Sequence, residues 1–88
     1  MKWNIEYSKR ANDFIDEHGI RDKVKYSIKG FILRITVSNI NIDVKKLKGE
    51  WAGYYLIRKG KVRIVLRLDS ESRIIFVDIV DFRGSVYK

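Results

Sequence analysis

The sequence predicts one α+β domain over residues 1–88, in which an antiparallel two-helix hairpin packs on a mainly antiparallel sheet of about four strands. A chain of 88 residues can bury one core of modest size. Apolar residues follow helical spacing in the first half of the chain and form alternating or β-branched runs in the second half. A single glycine separates the two helical segments, which favours an antiparallel pair of helices.

The first half of the chain is predicted to form a strand and then two helices. Trp3 to Tyr7 alternates apolar and polar residues, as a half-buried strand does. Ser8 is a predicted N-cap, and Gly19 stands where a helix ends in a left-handed residue. A second helix is predicted from about Ile20, and residues 35–44 fit either its end or a short strand. The apolar positions are Ala11, Phe14, Ile15 and His18 in the first helix and Val24, Ile28, Phe31, Ile32 and Ile35 in the second.

The second half is predicted to form a β-hairpin and a central strand. Lys45 to Gly49 is predicted to be a basic loop, and Tyr54 to Arg67 a hairpin. Asp69 to Ser72 has the composition of a turn. The β-branched run from Arg73 to Val80 predicts a central strand, and residues 82–88 form a short tail.

A two-residue turn at Lys59-Gly60 would pair Arg58 with Lys61 and Leu56 with Arg63. Because side chains alternate along strands, the hairpin should then bury one face and present cations on the other. The predicted buried face carries Tyr55, Ile57, Val62 and Ile64, and the cationic face carries Leu56, Arg58, Lys61 and Arg63, with Tyr54 and Val65 behind.

Composition restricts the class of partner. The formal net charge is +8, and Glu50 is the one acid between Lys45 and Arg67. This balance favours an anionic partner, which could be nucleic acid, an acidic protein or an anionic membrane surface. The chain has no cysteine, which excludes disulfides and thiolate metal sites and suits a cytoplasmic location. It has no apolar run long enough to span a membrane, and its first residues do not resemble a signal peptide.

Metal or cofactor chemistry is poorly supported, so the sequence predicts neither a metal nor a cofactor. His18 is the only histidine, and its place on an apolar helix face favours a packing role. Asp78 and Asp81 are more readily explained by pairing with nearby cations than by magnesium binding. The remaining functional residues are cations and tyrosines: Lys46, Lys48, Arg58, Arg63, Arg83, Tyr54 and Tyr87.

Such a set suits the binding of a phosphodiester and stacking on bases. In RNA the 2′-OH can attack the adjacent phosphate, so the protein need only orient the strand, assist proton transfer and neutralise developing charge. The pKa of arginine lies above about 12, so Arg63 and Arg83 are predicted to hold phosphate rather than act as bases.

Three blocks of sequence resemble the RelE/ParE toxin superfamily in their order along the chain. They are Asp43-Val-Lys-Lys-Leu-Lys-Gly49, the hairpin segments Tyr55-Leu-Ile-Arg58 and Gly60-Lys-Val-Arg-Ile-Val65, and Arg83-Gly-Ser-Val-Tyr-Lys88. The resemblance covers essentially the whole chain and is strongest from Asp43 onward. It implies a RelE-like fold and a toxin neutralised by a cognate acidic antitoxin.

In the RelE branch the toxin enters the ribosome and cleaves mRNA without a metal. Carried over to this chain, the resemblance implies a catalytic set of Arg58, Arg63, Arg83 and Tyr87. Arg63 and Arg83 would stabilise the scissile phosphate, and Tyr87 would position a base or assist proton transfer. Lys46, Lys48, Lys61 and Tyr54 would contact RNA.

Leu56 departs from the family pattern, because that strand position is usually Arg or Lys and is implicated in proton transfer. Three explanations remain open: cleavage by the other residues, a toxin weakened naturally or by engineering, or loss of cleavage with binding retained. The second is favoured, because the rest of the site is intact. Two alternative functions also remain, a ParE-like toxin that binds gyrase without nuclease chemistry and a basic RNA-binding module.

Overall fold

The computed structural model describes residues 2–37 and 43–82, and in these ranges two helices cover one face of a five-stranded sheet. The strands are β1 (Asn4–Tyr7), β2 (Val44–Lys46), β3 (Tyr55–Lys59), β4 (Val62–Asp69) and β5 (Ile74–Phe82), and the helices are α1 (Lys9–His18) and α2 (Arg21–Val37). The sheet order is β1-β5-β4-β3-β2, in which only the β1–β5 pair is parallel. The predicted α+β fold is confirmed.

The sheet has one strand more than predicted. The extra strand is β2, which forms from part of the predicted basic loop and pairs antiparallel with β3. It is short and lies at the edge, where lysines are common because they discourage further strand pairing. The ambiguous segment 35–44 contains the end of α2 at Val37 and the start of β2 at Val44, and residues 38–42 lie outside the described ranges.

The predicted caps of α1 are confirmed. The Ser8 hydroxyl oxygen accepts a hydrogen bond from the Ala11 N–H at 3.1 Å and donates one to the Asp78 carbonyl at 2.6 Å. Gly19 ends the helix in the left-handed region, with φ +61°. The Ser8 contacts fix the start of α1 to β5, and Gly19 lets the chain turn directly into α2.

The main core lies between the helices and the sheet. Phe31 and Ile28 of α2 and Ile15 of α1 are almost fully buried against Ile57 and Ile64 of the hairpin. We call this side of the sheet the helix face and the opposite side the open face. Neither helix in the described ranges is long and apolar enough to cross a membrane.

The predicted hairpin pairing is wrong, and so is the place of Lys61 on the cationic face, but the strand residues are assigned to the right faces. Arg58 pairs with Arg63, and Lys59 pairs with Val62, so the two loop residues are Gly60 and Lys61. Gly60 has φ +61°, and a type II′ turn requires such a residue at the first loop position. Placing the glycine first moves the turn by one residue along the chain. Each residue therefore gains a partner two positions further on, which leaves its face unchanged.

Strand β5 confirms the predicted central strand and continues two residues beyond it. It lies between β1 and β4. The pairing shifts between Val65 and Leu66, whose partners are Ile79 and Val77, so Asp78 is an extra residue without a partner across the strands. This bulge presents the Asp78 carbonyl to the Ser8 hydroxyl.

Candidate nucleic-acid interface

The open face is arranged in rows that run across the strands, because residues directly opposite one another share a face. The first row, which we call the charged row, contains Asp43, Arg58, Arg63 and Asp81. The second, the apolar row, contains Leu56, Val65 and Ile79, and Lys45 lies opposite Leu56 at its edge. The third, the aromatic row, contains Tyr54, Arg67 and Phe76.

The charged row places two arginines side by side at its centre. Arg58 and Arg63 are direct partners across β3 and β4. Like charges at this position repel, so the pair needs acidic neighbours or an anionic ligand. Asp43 lies beside Arg58 at one end of the row, and Asp81 lies opposite Arg63 at the other end.

The two arginines differ in their partners. Arg58 forms a two-point ion pair with Asp43, with Nε to Oδ2 and Nη2 to Oδ1 both at 3.0 Å. The Arg63 Nε is buried and has no hydrogen-bond acceptor in the described part of the chain. The opposing Asp81 instead accepts a hydrogen bond from the Phe82 N–H at 2.7 Å through its Oδ1.

A cavity of about 300 Å³ opens between these groups and is lined by Asp43, Arg58, Gly60 and Arg63. The Arg63 Nε itself is shielded from solvent, so a phosphate in this cavity would bind through the other guanidinium nitrogens of the two arginines. The cavity therefore has the chemistry to hold a phosphate group, with one arginine already paired and the Nε of the other lacking an acceptor.

The expected exposure of Leu56 among cations is wrong. Only 2% of Leu56 is exposed, and it forms a second buried cluster with Leu47 and Val65. Trp51 and Tyr54 pack against this cluster. The sequence pattern suggested a cationic surface because alternation assigns residues to faces without showing which loops cover them. The short helical turn Gly49–Trp51 precedes β3 and supplies part of that cover.

The edge of the sheet at β2 brings together part of the predicted RNA-binding set, with Lys46 opposite Tyr55 on the helix face. Lys46 and Lys48 are exposed and line a cavity of about 290 Å³ with Lys45, Leu47 and Trp51. The ring of Trp51 meets that of Tyr54 edge to face, with their centroids 5.2 Å apart. Trp51 was not among the functional residues predicted from the sequence. An aromatic residue next to a lysine run was the signal available.

Lys61 does not join the charged row. It occupies the hairpin turn, and its Nζ lies 5.3 Å from the centre of the Phe82 ring. Phe82 itself packs against Phe14 and His18 of α1, on the helix face. Arg83 and Tyr87, the other predicted catalytic residues, lie outside the described residues.

Tyr54 is half-buried at the far end of the open face. It lines a cavity of about 240 Å³ together with Arg67 and Phe76. The Arg67 guanidinium lies 4.2 Å from the centre of the Phe76 ring. This end of the face therefore presents flat aromatic and guanidinium groups, which suit stacking on bases.

The residues that were set aside as metal ligands have other contacts. The His18 ring is exposed and stacks on Phe14, with centroids 4.1 Å apart. Asp78 pairs with Arg10 at 3.3 Å, as predicted for a carboxylate next to cations. Among residues 2–37 and 43–82, no group of three His, Asp or Glu side chains is placed to hold a metal ion.

No protein-family profile and no curated protein sequence matches the chain. Solved structures do match. The RelB–RelE antitoxin–toxin complex of Methanococcus jannaschii contains a chain that is 27% identical and has a TM-score of 0.65, with 93% of this chain and 94% of that one covered. An archaeal RelE–RelB complex from Pyrococcus horikoshii OT3 gives 18% identity and a TM-score of 0.67, covering 98% and 100%.

The toxin–antitoxin complex RelBE2 of Mycobacterium tuberculosis gives 23% identity and a TM-score of 0.61, covering 94% of this chain and 100% of that one. These three matches cover 93–98% of the present chain and 94–100% of the matched chains. Their fold agrees with the order of elements described above, and the sequence blocks that resemble this group lie on β2, β3 and β4 where the two can be compared. By fold, the chain is similar to the toxins of the RelE/ParE superfamily.

Proposed function

We propose that this chain is the toxin of a type II toxin–antitoxin system and that it inhibits translation by cleaving mRNA on the ribosome. The structures it resembles include RelE chains solved together with RelB antitoxins. The net charge of +8 suits both an acidic antitoxin and RNA. Screening by salt should therefore weaken antitoxin binding.

The observation that carries the proposal is that Arg58 and Arg63 lie directly opposite each other on the open face. The Arg63 Nε is buried and has no acceptor in the described part of the chain. Two adjacent guanidinium groups can bind the non-bridging oxygens of one phosphodiester. Negative charge grows on those oxygens in the transition state, so preorganised donors stabilise it.

The cleavage step would use the 2′-OH of the RNA as nucleophile. The 2′ oxygen forms a bond to phosphorus, the bond from phosphorus to the 5′ oxygen breaks, and the products carry a 2′,3′-cyclic phosphate and a 5′-hydroxyl. A proton leaves the 2′-OH and another reaches the departing 5′ oxygen. In this proposal Arg63 and Arg58 hold the phosphate, while Arg83 and Tyr87 complete the site.

The β2 edge of the sheet and the aromatic row would bind the strand on either side of the scissile phosphate. Lys46 and Lys48 would contact backbone phosphates, and Trp51 lines the same cavity. Tyr54 and Arg67 offer a stacking surface further along. In ribosome-bound mRNA these contacts would set the position of cleavage.

Leu56 supplies neither a proton acceptor nor a cation, and we expect cleavage to be slower than in a chain with Arg or Lys at that position. Its burial changes how this can be tested. Leu56→Arg would place a charge inside the cluster of Leu47 and Val65, so low activity of that variant would reflect unfolding as well as chemistry. Variants of the charged row are therefore a better test of the chemistry.

The experiment is a translation reaction with a defined mRNA, in which cleavage is followed by primer extension. Arg63→Ala should slow cleavage about 100-fold, as loss of one transition-state donor does. Lys29→Ala is the matched control, because Lys29 is an exposed cation on α2, away from the open face. We expect that variant to keep the original rate.

If Arg63→Ala and Lys29→Ala cleave mRNA at the same rate, Arg63 has no part in the mechanism. Intact mRNA combined with inhibition of DNA supercoiling by gyrase would replace the proposal with the ParE-like alternative. Binding of RNA without either effect would leave a basic RNA-binding module.

A further inference from the structure

We propose that Asp43 is a built-in competitor of RNA at the phosphate site, holding Arg58 in an ion pair that the incoming phosphodiester must displace. This inference rests on the proposed function, because it assigns a role to a carboxylate within the same site. It makes Asp43 a residue that tunes affinity and rate without touching the reacting atoms.

The geometry of the pair is that of an anion-recognition contact. Two guanidinium nitrogens of Arg58 each lie 3.0 Å from a different oxygen of Asp43. A phosphate presents two oxygens to an arginine in the same forked manner, so carboxylate and phosphate compete for the same donors.

Backbone pairing holds Asp43 next to Arg58, where its carboxylate can compete with phosphate. The Arg58 N–H donates to the Asp43 carbonyl at 3.1 Å, and the next residue, Val44, pairs with Ile57. The edge strand therefore positions the Asp43 carboxylate at the end of the charged row. Both side chains are about half exposed, 44% for Arg58 and 53% for Asp43, so water and salt weaken the pair and a phosphate can displace it.

The contrast with the other end of the row supports the assignment. Asp81 lies opposite Arg63 in the same way, but its Oδ1 is engaged by the Phe82 N–H, and the Arg63 Nε has no acceptor in the described part of the chain. Arg63 therefore needs no exchange of a carboxylate at its Nε before it binds phosphate. Arg58 joins once it has exchanged Asp43 for a second phosphate oxygen.

The exchange has a defined effect on salt dependence. In the original chain, displaced Asp43 takes up a cation from solution, which offsets the counterion released from the RNA. In Asp43→Asn nothing takes up that cation. The plot of log affinity against log salt should therefore be steeper in the variant by at most about 0.7, the contribution of one phosphate contact on a single strand.

The experiment measures binding of a short fluorescein-labelled oligouridylate by anisotropy over a series of salt concentrations, separately from any cleavage assay. Asp43→Asn should bind about two- to five-fold more tightly than the original chain, as expected for loss of a half-exposed competing pair. Asp13→Asn is the matched control, because it removes the same charge from an exposed ion pair with Lys9 on α1. That variant should change affinity less and leave the salt slope unchanged.

A double-mutant cycle tests whether the effect passes through Arg58. In an Arg58→Ala background, Asp43→Asn should no longer strengthen binding. An equal gain in both backgrounds, or equal gains in Asp43→Asn and Asp13→Asn, would overturn the inference in favour of a general charge effect. Because this assay does not involve ribosomes or cleavage, either result is independent of whether the chain cuts mRNA.

Discussion

The two faces of the sheet are built from the same alternating strands, but they bury side chains in different ways. On the helix face, Ile57 and Ile64 are fully buried beneath two helices. On the open face, Leu56 and Val65 are buried almost as completely, although no helix in the described ranges packs over them. Trp51 and Tyr54 supply the cover there.

This difference shows how a small domain can carry a binding site on a sheet. The helix face provides stability through one large core. The open face combines a small apolar cluster with the charged row directly beside it, so the arginines lie next to well-packed side chains. The following predictions test whether the two faces divide stability and function in this way, from the largest expected effect to the smallest.

Leu56→Arg should give the largest change in stability. It would place an unpaired charge in a site where Leu56 is 2% exposed, which costs about 3–5 kcal/mol in the free energy of unfolding. Leu56→Met, which keeps the volume, should cost less than about 1.5 kcal/mol. Urea unfolding measures both. If Leu56→Arg is as stable as the original chain, the cluster on the open face is not a core.

Truncation of one residue on each face should rank the two cores. Ile64→Ala should cost about 3 kcal/mol, and Leu56→Ala about 2 kcal/mol. The smaller loss follows because the open-face cluster has only three buried members in the described part of the chain and can collapse more easily. Urea unfolding of the two variants side by side gives the ranking. A larger loss for Leu56→Ala would reverse the proposed division between the faces.

Replacing Tyr7 should give the smallest change in stability, and the change should appear only at alkaline pH. Burial raises the pKa of its phenol above the usual value near 10, and the nearby Arg21 partly opposes this. The folded state therefore holds the proton more tightly than the unfolded state. This contribution to stability is complete below pH 10 and is lost as pH rises through the folded-state pKa.

Tyr7→Phe removes that contribution, so its stability should fall less steeply above pH 10 than that of the original chain. The Tyr7 hydroxyl is buried without a partner in the described part of the chain, so the variant should be about neutral, or slightly more stable, at pH 7. Thermal unfolding over a range of pH measures both effects. Identical alkaline profiles would show that this phenol ionises as readily in the folded as in the unfolded state.

Local chemistry made much of the fold predictable. Ser8, Gly19 and the spacing of apolar residues identified α1, and the β-branched run identified β5. The assignment of strand residues in the hairpin to faces was also right, because a shift by two residues preserves alternation, whereas Lys61 was misassigned because it lies in the turn. The resemblance to the toxin superfamily was confirmed at the level of fold.

The incorrect predictions concern features that depend on tertiary contacts. The hairpin register depended on which loop position Gly60 would take, and two choices fit the sequence. The burial of Leu56 depended on the turn carrying Trp51, which is distant from β4 in sequence but packs against the same cluster. The ion pair between Asp43 and Arg58 joins residues fifteen positions apart and could not be seen before β2 was known.

The central claim is that the charged row promotes attack of an RNA 2′-OH on the adjacent phosphate. The most direct measurement identifies the chemical ends of mRNA recovered from a translation reaction containing the purified chain. The account predicts a 2′,3′-cyclic phosphate on the upstream fragment and a 5′-hydroxyl on the downstream fragment, both strongly reduced with Arg63→Ala. Intact mRNA, or fragments that carry a 5′-phosphate, would contradict it.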